Sequence, residues 1–448
     1  GLIWAAWADS LVSYNFEKFD ENLQSDIIKL LNHPMVSPRC LASPILRALT
    51  QVSEFSRVMA LTSVNSNVDS QIYKELAGDL SKIPLFIELL GLCPFDDLSV
   101  ERMLTNLRRI MILQFPDNDA SSLPFSAALA VHCFNNEYLF SYTEEEKEAV
   151  RGLELKIVKL LEEEMPVPAL WVSALGSYCA LNEYPWAEKL LTRNWPSSIV
   201  SVLDQQITHP KEEQTLATKM HFLNTITDSV SIAVREQYES NPYPRWVKLG
   251  IPEKGKSIVQ VMRDIQLPII PHRKKLQRNP EVLIAGCGTG EQSITAALRF
   301  SNSKVTAVDL SLKSLAYAER KAHEYGVLEI DHAQGDILEL GAMQRQFDII
   351  ECTGVLHHLH DPMAGWRNLL DLLHPDGFLK IAVYSKIARR SITKARSLII
   401  KNSYPPTAEG IRFCRRELIN LSKEGTIEFA NIFKSSDFYS VSGCRDLL

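Results

Sequence analysis

Along the first half of the chain, apolar positions return every three or four residues. "IELLGLCPFDDLSVERMLTNLRRIMILQF" (87–115) and "TEEEKEAVRGLELKIVKLLEEEM" (143–165) both carry this helical period. The second opens on acids, which the dipole at a helix start favours. Turns are expected at "LCPFDD", "FPDNDASSLP" and "MPVP". Few stretches alternate as half-buried strands do, so residues 1–230 are expected to be an all-α domain. Within it, "ALWVSALGSYCALNEYPWAEKLLT" (169–192) has the small and aromatic residues of one tetratricopeptide-type hairpin. Such repeats recur at about 34 residues. No convincing copies occur at that period, and an irregular bundle fits the pattern equally well.

The pattern changes at residue 281. "EVLIAG", "KVTAVDL", "LEIDHAQGD", "FDIIECTG" and "GFLKIAVYS" are short β-rich runs. Helical stretches separate them: "EQSITAALRF", "LKSLAYAERKAHEYG" and "PMAGWRNLLDLL". Strands alternating with helices predict βαβ units and a mostly parallel sheet, an α/β Rossmann-like domain over 281–448. Residues 231–280 then form a linker or lid. Ligands of such sheets bind beyond the carboxyl ends of the strands.

The first strand runs into Gly286-x-Gly288-x-Gly290. This departs by one residue from the dinucleotide fingerprint, and no Lys-Ser/Thr pair follows as in a P-loop. The second strand ends in Asp309, whose carboxylate can accept from both ribose hydroxyls. The third leads to "QGDILEL", where Asp336 suits an exocyclic adenine amine and Ile337 can pack on the ring. Adenosine recognition without a phosphate-binding lysine points to S-adenosylmethionine.

Four motifs together carry a resemblance: G-x-G-x-G after strand one, an acid ending strand two, "GD" plus an apolar residue after strand three, and "GVLHHLHDP" after strand four. They resemble a class I S-adenosylmethionine-dependent methyltransferase of the type 11 and type 12 group. The likeness covers about residues 281–385. With "YESNPYPRW" and helices upstream, the chain is similar to bacterial proteins that fuse a tetratricopeptide-like region to a methyltransferase. The resemblance implies that Gly286, Cys287, Gly288 and Gly290 line the methionine part of the cofactor. Asp309, with Leu310 beside it, would hold the ribose, and Asp336 and Ile337 would frame the adenine. Thr353 and Gly354 would lie under the sulfonium.

Methyl transfer asks chiefly for alignment of nucleophile and methyl. A base is needed only where the acceptor must lose a proton. His357, His358 and His360 crowd the loop after strand four, and a neutral imidazole at His357 or His358 can take that proton. "REQYESNPYPRW" (235–246) is held extended by its prolines. Tyr238, Tyr243, Arg245 and Trp246 would project from it as a lid, with Tyr243 and Arg245 facing the reaction and Arg245 pairing with a carboxylate. The same segment reads equally as a rigid linker whose aromatics anchor two domains.

Composition narrows the rest. An apolar share of 46% and a charged share of 23% are those of a globular chain, and no run is long enough to span a membrane. The eight cysteines are scattered without a C-x-x-C pair, which argues against a disulfide framework or zinc site and for a cytoplasmic setting. No ligand cluster calls for a metal. A net charge of −6 gives no global reason to bind nucleic acid. Nine Lys or Arg lie within 386–416 against one acid, Glu409, and "PHRKKLQRNP" adds a second basic patch. A solvated helical face is the favoured reading, and an RNA substrate is the rival one. The chain starts at Gly1 without a Met, and the last two strands of the resembled fold are not evident after "GFLKIAVYS", so the strands are degenerate or lie beyond the sequence. The expected function is methyl transfer to N or O of a peptide, protein or small molecule. The helices would position a substrate, a partner or a second copy. A cofactor-binding scaffold without turnover is the remaining alternative.

Overall fold

The computed structural model describes residues 2–13, 19–64, 70–114, 119–267, 279–424 and 429–448. Two segments read above fall partly outside them: 271–278 of the basic patch "PHRKKLQRNP" and 115–118 of the turn "FPDNDASSLP". The chain divides into two compact units. One comprises residues 1–211, 245–250 and 391–448, the other 212–244 and 251–390.

The first unit is helical among its described residues. Leu123–Asn135 is buried almost all round, as expected of a helix in a core centre. It packs against Pro84–Leu92, Ala169–Gly176 and Ser197–Leu203. Glu144–Glu162 starts from a capping box in which Thr143 and Glu146 satisfy each other's backbone N–H groups. It buries Leu153, Ile157 and Leu161, spaced by one turn. The hairpin expected at 169–192 is instead a short helix at Ala169–Gly176, a 3-10 turn at Leu181–Glu183 and one further turn at Glu188–Leu191. Pro185 disfavours a helical Tyr184, which is extended at φ −89° and ψ 130°, so a long second helix cannot form there.

Residues 391–448, expected within the α/β domain, belong to the helical unit. The helices Arg390–Asn402 and Ala408–Lys423 bury Ala395, Cys414 and Leu418 in a core shared with Leu139 and Phe438. Arg415 makes a buried two-pronged ion pair with Glu101, at 3.0 and 2.9 Å. Arg412 donates twice to the Tyr138 carbonyl, and Ser442 N–H donates to Glu137. Paired and hydrogen-bonded in this way, buried charge is tolerated. No strand follows residue 382 among the described residues.

The second unit is a six-stranded sheet with every pairing parallel. Its strands are β1 (His221–Phe222), β2 (Glu281–Ala285), β3 (Lys304–Asp309), β4 (Ile330–Gln334), β5 (Phe347–Thr353) and β6 (Leu373–Ala382), in the order β1-β4-β3-β2-β5-β6. β2 is buried on both faces, which is why it reads as a continuous apolar run. The strand order reverses between β2 and β5, so a crevice opens at the carboxyl end of β2. Around it lie helices α1 (Ser229–Ser240), α2 (Ile258–Asp264), α3 (Glu291–Arg299), α4 (Leu312–Glu324) and α5 (Pro362–Asp371), with shorter helical turns between the strands. Two features depart from the sequence expectation. β1 comes from the stretch read as purely helical, and 231–280 contributes two helices rather than a bare linker.

Candidate cofactor site

The β2–α3 turn begins where Gly286 and Cys287 N–H both donate to the Val308 carbonyl, at 2.8 and 3.0 Å. Gly286, Gly288 and Gly290 all have left-handed backbone, with φ of 76°, 53° and 90°. At Gly288 an added Cβ would lie 2.6 Å from the Tyr243 carbonyl oxygen, and at Gly286 one would lie 2.3 Å from Val355. Neither position admits a side chain. Gly290 caps α3, so the N-terminal N–H groups of that helix open toward the crevice.

Asp309 fastens this loop to β3. Its Oδ2 accepts from Gly288 N–H at 2.7 Å and its Oδ1 from Ser311 N–H at 3.0 Å. Burial pushes its carboxyl above the ordinary range, against the lowering pull of those backbone donors, and the nearby Glu239 adds to the rise. Four acceptor sites less two leave room for ribose hydroxyls.

Asp336 is more deeply buried. Its Oδ1 accepts from Leu338 N–H at 2.9 Å, and its Oδ2 is buried with no partner among the described residues. Buried carboxylate oxygens are seldom left so. Ile337 follows it into the core, and Leu310 accepts at its carbonyl from Gln334. On the other side of the crevice Thr353 carries a second buried oxygen with no partner among the described residues, and Gly354 has φ +76°.

The segment before the sheet is tied over the glycine loop. Glu239 accepts from Leu312 and Lys313 N–H at the start of α4. Ser311 Oγ donates to the Tyr238 carbonyl at 3.2 Å, and the Thr289 hydroxyl donates to the Pro244 carbonyl. Tyr238 OH lies 3.3 Å from His358 Nε2. The His358 ring is 4.3 Å from that of His357, which is 4.0 Å from Tyr384. His360 is exposed. Of the lid residues, Tyr243 approaches the loop through its carbonyl. Arg245 is not part of this constellation. It belongs to the helical unit, where its guanidinium lies 4.3 Å from the Phe134 ring centre and opposes the burial-driven rise of the Glu137 carboxyl. A cation with an aromatic face and an opposite charge at hand is already satisfied.

The basic cluster is likewise partly spent. Arg412, Arg415 and Arg396 donate to Tyr138, Glu101 and Leu447 within the helical unit. Among the described residues no group of three or more His, Cys, Asp or Glu is placed to hold a metal ion. No described helix is long and apolar enough to cross a membrane.

Residues 282–377 match the family described as "Methyltransferase domain". This segment is a class I methyltransferase domain. An uncharacterized protein of Synechococcus sp. is 32% identical over 183 residues, 41% of this chain and 44% of that protein. The ubiquinone biosynthesis O-methyltransferase of Actinobacillus pleuropneumoniae is 25% identical over 194 residues, 42% of this chain and 74% of the enzyme. That of Chromobacterium violaceum is 29% identical over 158 residues, 35% of this chain and 60% of the enzyme. The chain thus spans less than half the length of the Synechococcus relative. Among solved structures, PKMT2 from Rickettsia typhi in complex with AdoHcy aligns at 21% identity and a TM-score of 0.28, covering 34% of this chain and 30% of that one.

The cofactor of a class I methyltransferase domain is S-adenosylmethionine, and the residues present fit it. The fit rests on the unpartnered Asp336 Oδ2, a match for the adenine amine, and on a glycine loop closed to any Cβ. Three contributors escaped the sequence reading. Glu239 and Ser311 fasten the segment over the loop, and the Asn224 amide meets the backbone of Asp336. The sequence signal for Ser311 is the capping pattern "DLSLKS" at a helix start, whereas Glu239 lies more than seventy positions upstream of it without one. Asn224 has none.

Proposed function

We propose that this chain methylates an oxygen or nitrogen of a peptide, protein or small-molecule acceptor. S-adenosylmethionine, when bound, supplies a methyl carbon already activated by its sulfonium. The observation that carries the proposal is the buried Asp336 oxygen without a partner, set across the crevice mouth from a left-handed glycine loop. Asp336 takes the adenine amine, Ile337 frames the ring, and Asp309, with Leu310 beside it, accepts from the ribose. Gly286, Cys287, Gly288 and Gly290 surround the methionine part, with Thr353 and Gly354 beneath the sulfonium.

Acceptor chemistry falls to the loop after β5. His358, with Tyr238 OH on its Nε2 side and the tilted His357 ring beside it, accepts the proton that a hydroxyl acceptor must lose. Oxygen is the favoured atom, supported by relatives named as O-methyltransferases. Tyr243 acts through its carbonyl in shaping the glycine loop. The helical unit positions the acceptor or its carrier, and eight unpaired cysteines suit a cytoplasmic setting. The RNA reading draws less support from the basic cluster than its charge suggests, since three of its nine basic residues serve inside the fold.

The test is to incubate the protein with methyl-labelled S-adenosylmethionine and a lysate from its source, then separate protein, RNA and small molecules. Label in the protein, peptide or small-molecule fraction is expected. Label confined to RNA, or in no fraction, overturns the proposal.

A further inference from the structure

The adenine end of the crevice is closed by a segment that no motif marks. β1 adds to the free edge of β4, pairing His221 with Ala333 and Phe222 with Gln334, and Leu223 N–H continues the ladder to the Gln334 carbonyl at 2.9 Å. The ladder then stops, because the next residue of the β4 strand line is Gly335 and after it Asp336. At that point Asn224 takes over with its side chain. Its Oδ1 accepts from Asp336 N–H at 2.8 Å, and its Nδ2 donates to the Asp336 carbonyl at 3.2 Å. A primary amide thus imitates the backbone of one more strand residue, satisfying both main-chain groups of the very residue whose side chain carries the unpartnered oxygen. The fit is close on the other face too. A Cβ on Gly335 would lie 3.3 Å from Asn224 Nδ2 and 3.4 Å from Leu223 Cβ. Leu223 itself packs on the core formed by Val308, Ile337 and Leu340.

With both backbone groups of Asp336 clamped and its Oδ1 taken by Leu338 N–H, the direction of Oδ2 is fixed before any ligand arrives. We propose that Asn224 is a positioning residue for base recognition: it aims Asp336 Oδ2 so that the site distinguishes adenosine from a nucleoside lacking the exocyclic amine. The inference rests on the assignment of Asp336 to the adenine amine. It goes beyond it in placing the selectivity in a residue more than a hundred positions upstream.

The test compares S-adenosylhomocysteine with S-inosylhomocysteine, which has a carbonyl in place of the amine. Dissociation constants for both are measured by calorimetry on the full chain. The parent is expected to prefer the adenosyl compound by about 10-fold or more, the worth of a hydrogen bond to a charged acceptor. Asp336→Asn, which swaps that oxygen's charge for a neutral amide, removes the preference. Asn224→Ala removes most of it as well, while the inosyl compound still binds as it does to the parent. A merely structural role would weaken both ligands alike and leave their ratio unmoved, so the ratio is indifferent to general loosening. Asn224→Asp serves if the alanine variant does not fold. It keeps the acceptor for Asp336 N–H, loses the donor to the carbonyl, and is expected to lower the ratio at least threefold. If Asp336→Asn abolishes the preference but both Asn224 variants retain the parent's ratio, the inference is wrong. If the parent shows no preference at all, or Asp336→Asn keeps it, the fault lies in the assignment of Asp336.

Discussion

Replacing Gly288 by alanine sets a methyl carbon 2.6 Å from the Tyr243 carbonyl oxygen, at a backbone φ of +53°. Ordinary contact begins near 3.4 Å, so loop and carbonyl must part by about 0.8 Å. Two costs follow. A side chain in left-handed backbone costs about 1 kcal/mol. Moving the Tyr243–Pro244 carbonyls away weakens the Thr289 bond to Pro244, worth about 1 kcal/mol more. The same displacement pulls Gly288 N–H from Asp309. If the loop must stand in its native geometry to receive the cofactor, about 2 kcal/mol appears as a loss of affinity of about 30-fold. Gly326→Ala is the matched control: its φ is +70°, and nothing lies within 4 Å of an added Cβ. It bears the strain alone, remote from the crevice, and should lower stability by about 1 kcal/mol with affinity intact. Calorimetric titration with S-adenosylhomocysteine and urea unfolding, run on both variants, separate the two effects. Parental affinity in Gly288→Ala, with no more stability lost than in Gly326→Ala, would refute the claim that this close approach shapes the site.

Asp309→Ala removes the ribose acceptors and the anchor of the glycine loop together, so binding of S-adenosylhomocysteine should fall at least about 100-fold by calorimetry; a parental constant would remove Asp309 from the site. His357→Gln and His358→Gln should separate the acceptor-side roles. The variant lacking the proton acceptor loses about 100-fold or more in turnover and the rising limb of its pH–rate profile below neutrality, and an unchanged profile in both would show that neither imidazole is the base. In the helical unit, burial between Phe95 and Phe140 holds His132 down to about 4 from 6.5, although its bond to the Leu90 carbonyl works the other way. The unfolded chain therefore binds the extra proton as pH falls from 6.5 toward 4, and about 3 kcal/mol of stability should go with it. Urea unfolding at pH 7 and pH 4 checks this, because His132→Leu should lose about that much less over the interval than the parent.

What could be read from the sequence were the features that repeat locally. β2, β3 and β5 announce themselves because a parallel strand buried on both faces is a largely apolar run between turns. The glycines announce themselves because only glycine tolerates their backbone. β1 could not be read: it has two residues, both exposed, and no period can be seen in two positions. Nor could the partner of the last helices. "IRFCRRELINL" is plainly amphipathic, but which apolar surface receives Cys414 and Leu418, and that Arg415 meets Glu101 more than three hundred positions away, are facts about tertiary packing. Arg245 misled for the same reason. Its place beside two prolines suited a lid and a rigid linker equally, and its guanidinium lies over the Phe134 ring, near enough to Glu137 to oppose the burial-driven rise of that carboxyl.

The two carboxylates show where residue identity ends and geometry begins. In sequence Asp309 and Asp336 are alike, each an acid closing a strand. Counting lone pairs separates them. Asp309 spends one acceptor site of each oxygen on the N–H groups that join the glycine loop to the start of α4, so its first task is to hold the loop, and whatever it offers the ribose is shared with that task. Asp336 spends one oxygen on its own turn and keeps the other bare in a buried place, where the absence of a donor is costly until a ligand supplies one. The unmet oxygen is therefore the group whose interaction improves most on binding. Discrimination among ligands should concentrate there, whereas loss at Asp309 should weaken every nucleoside alike.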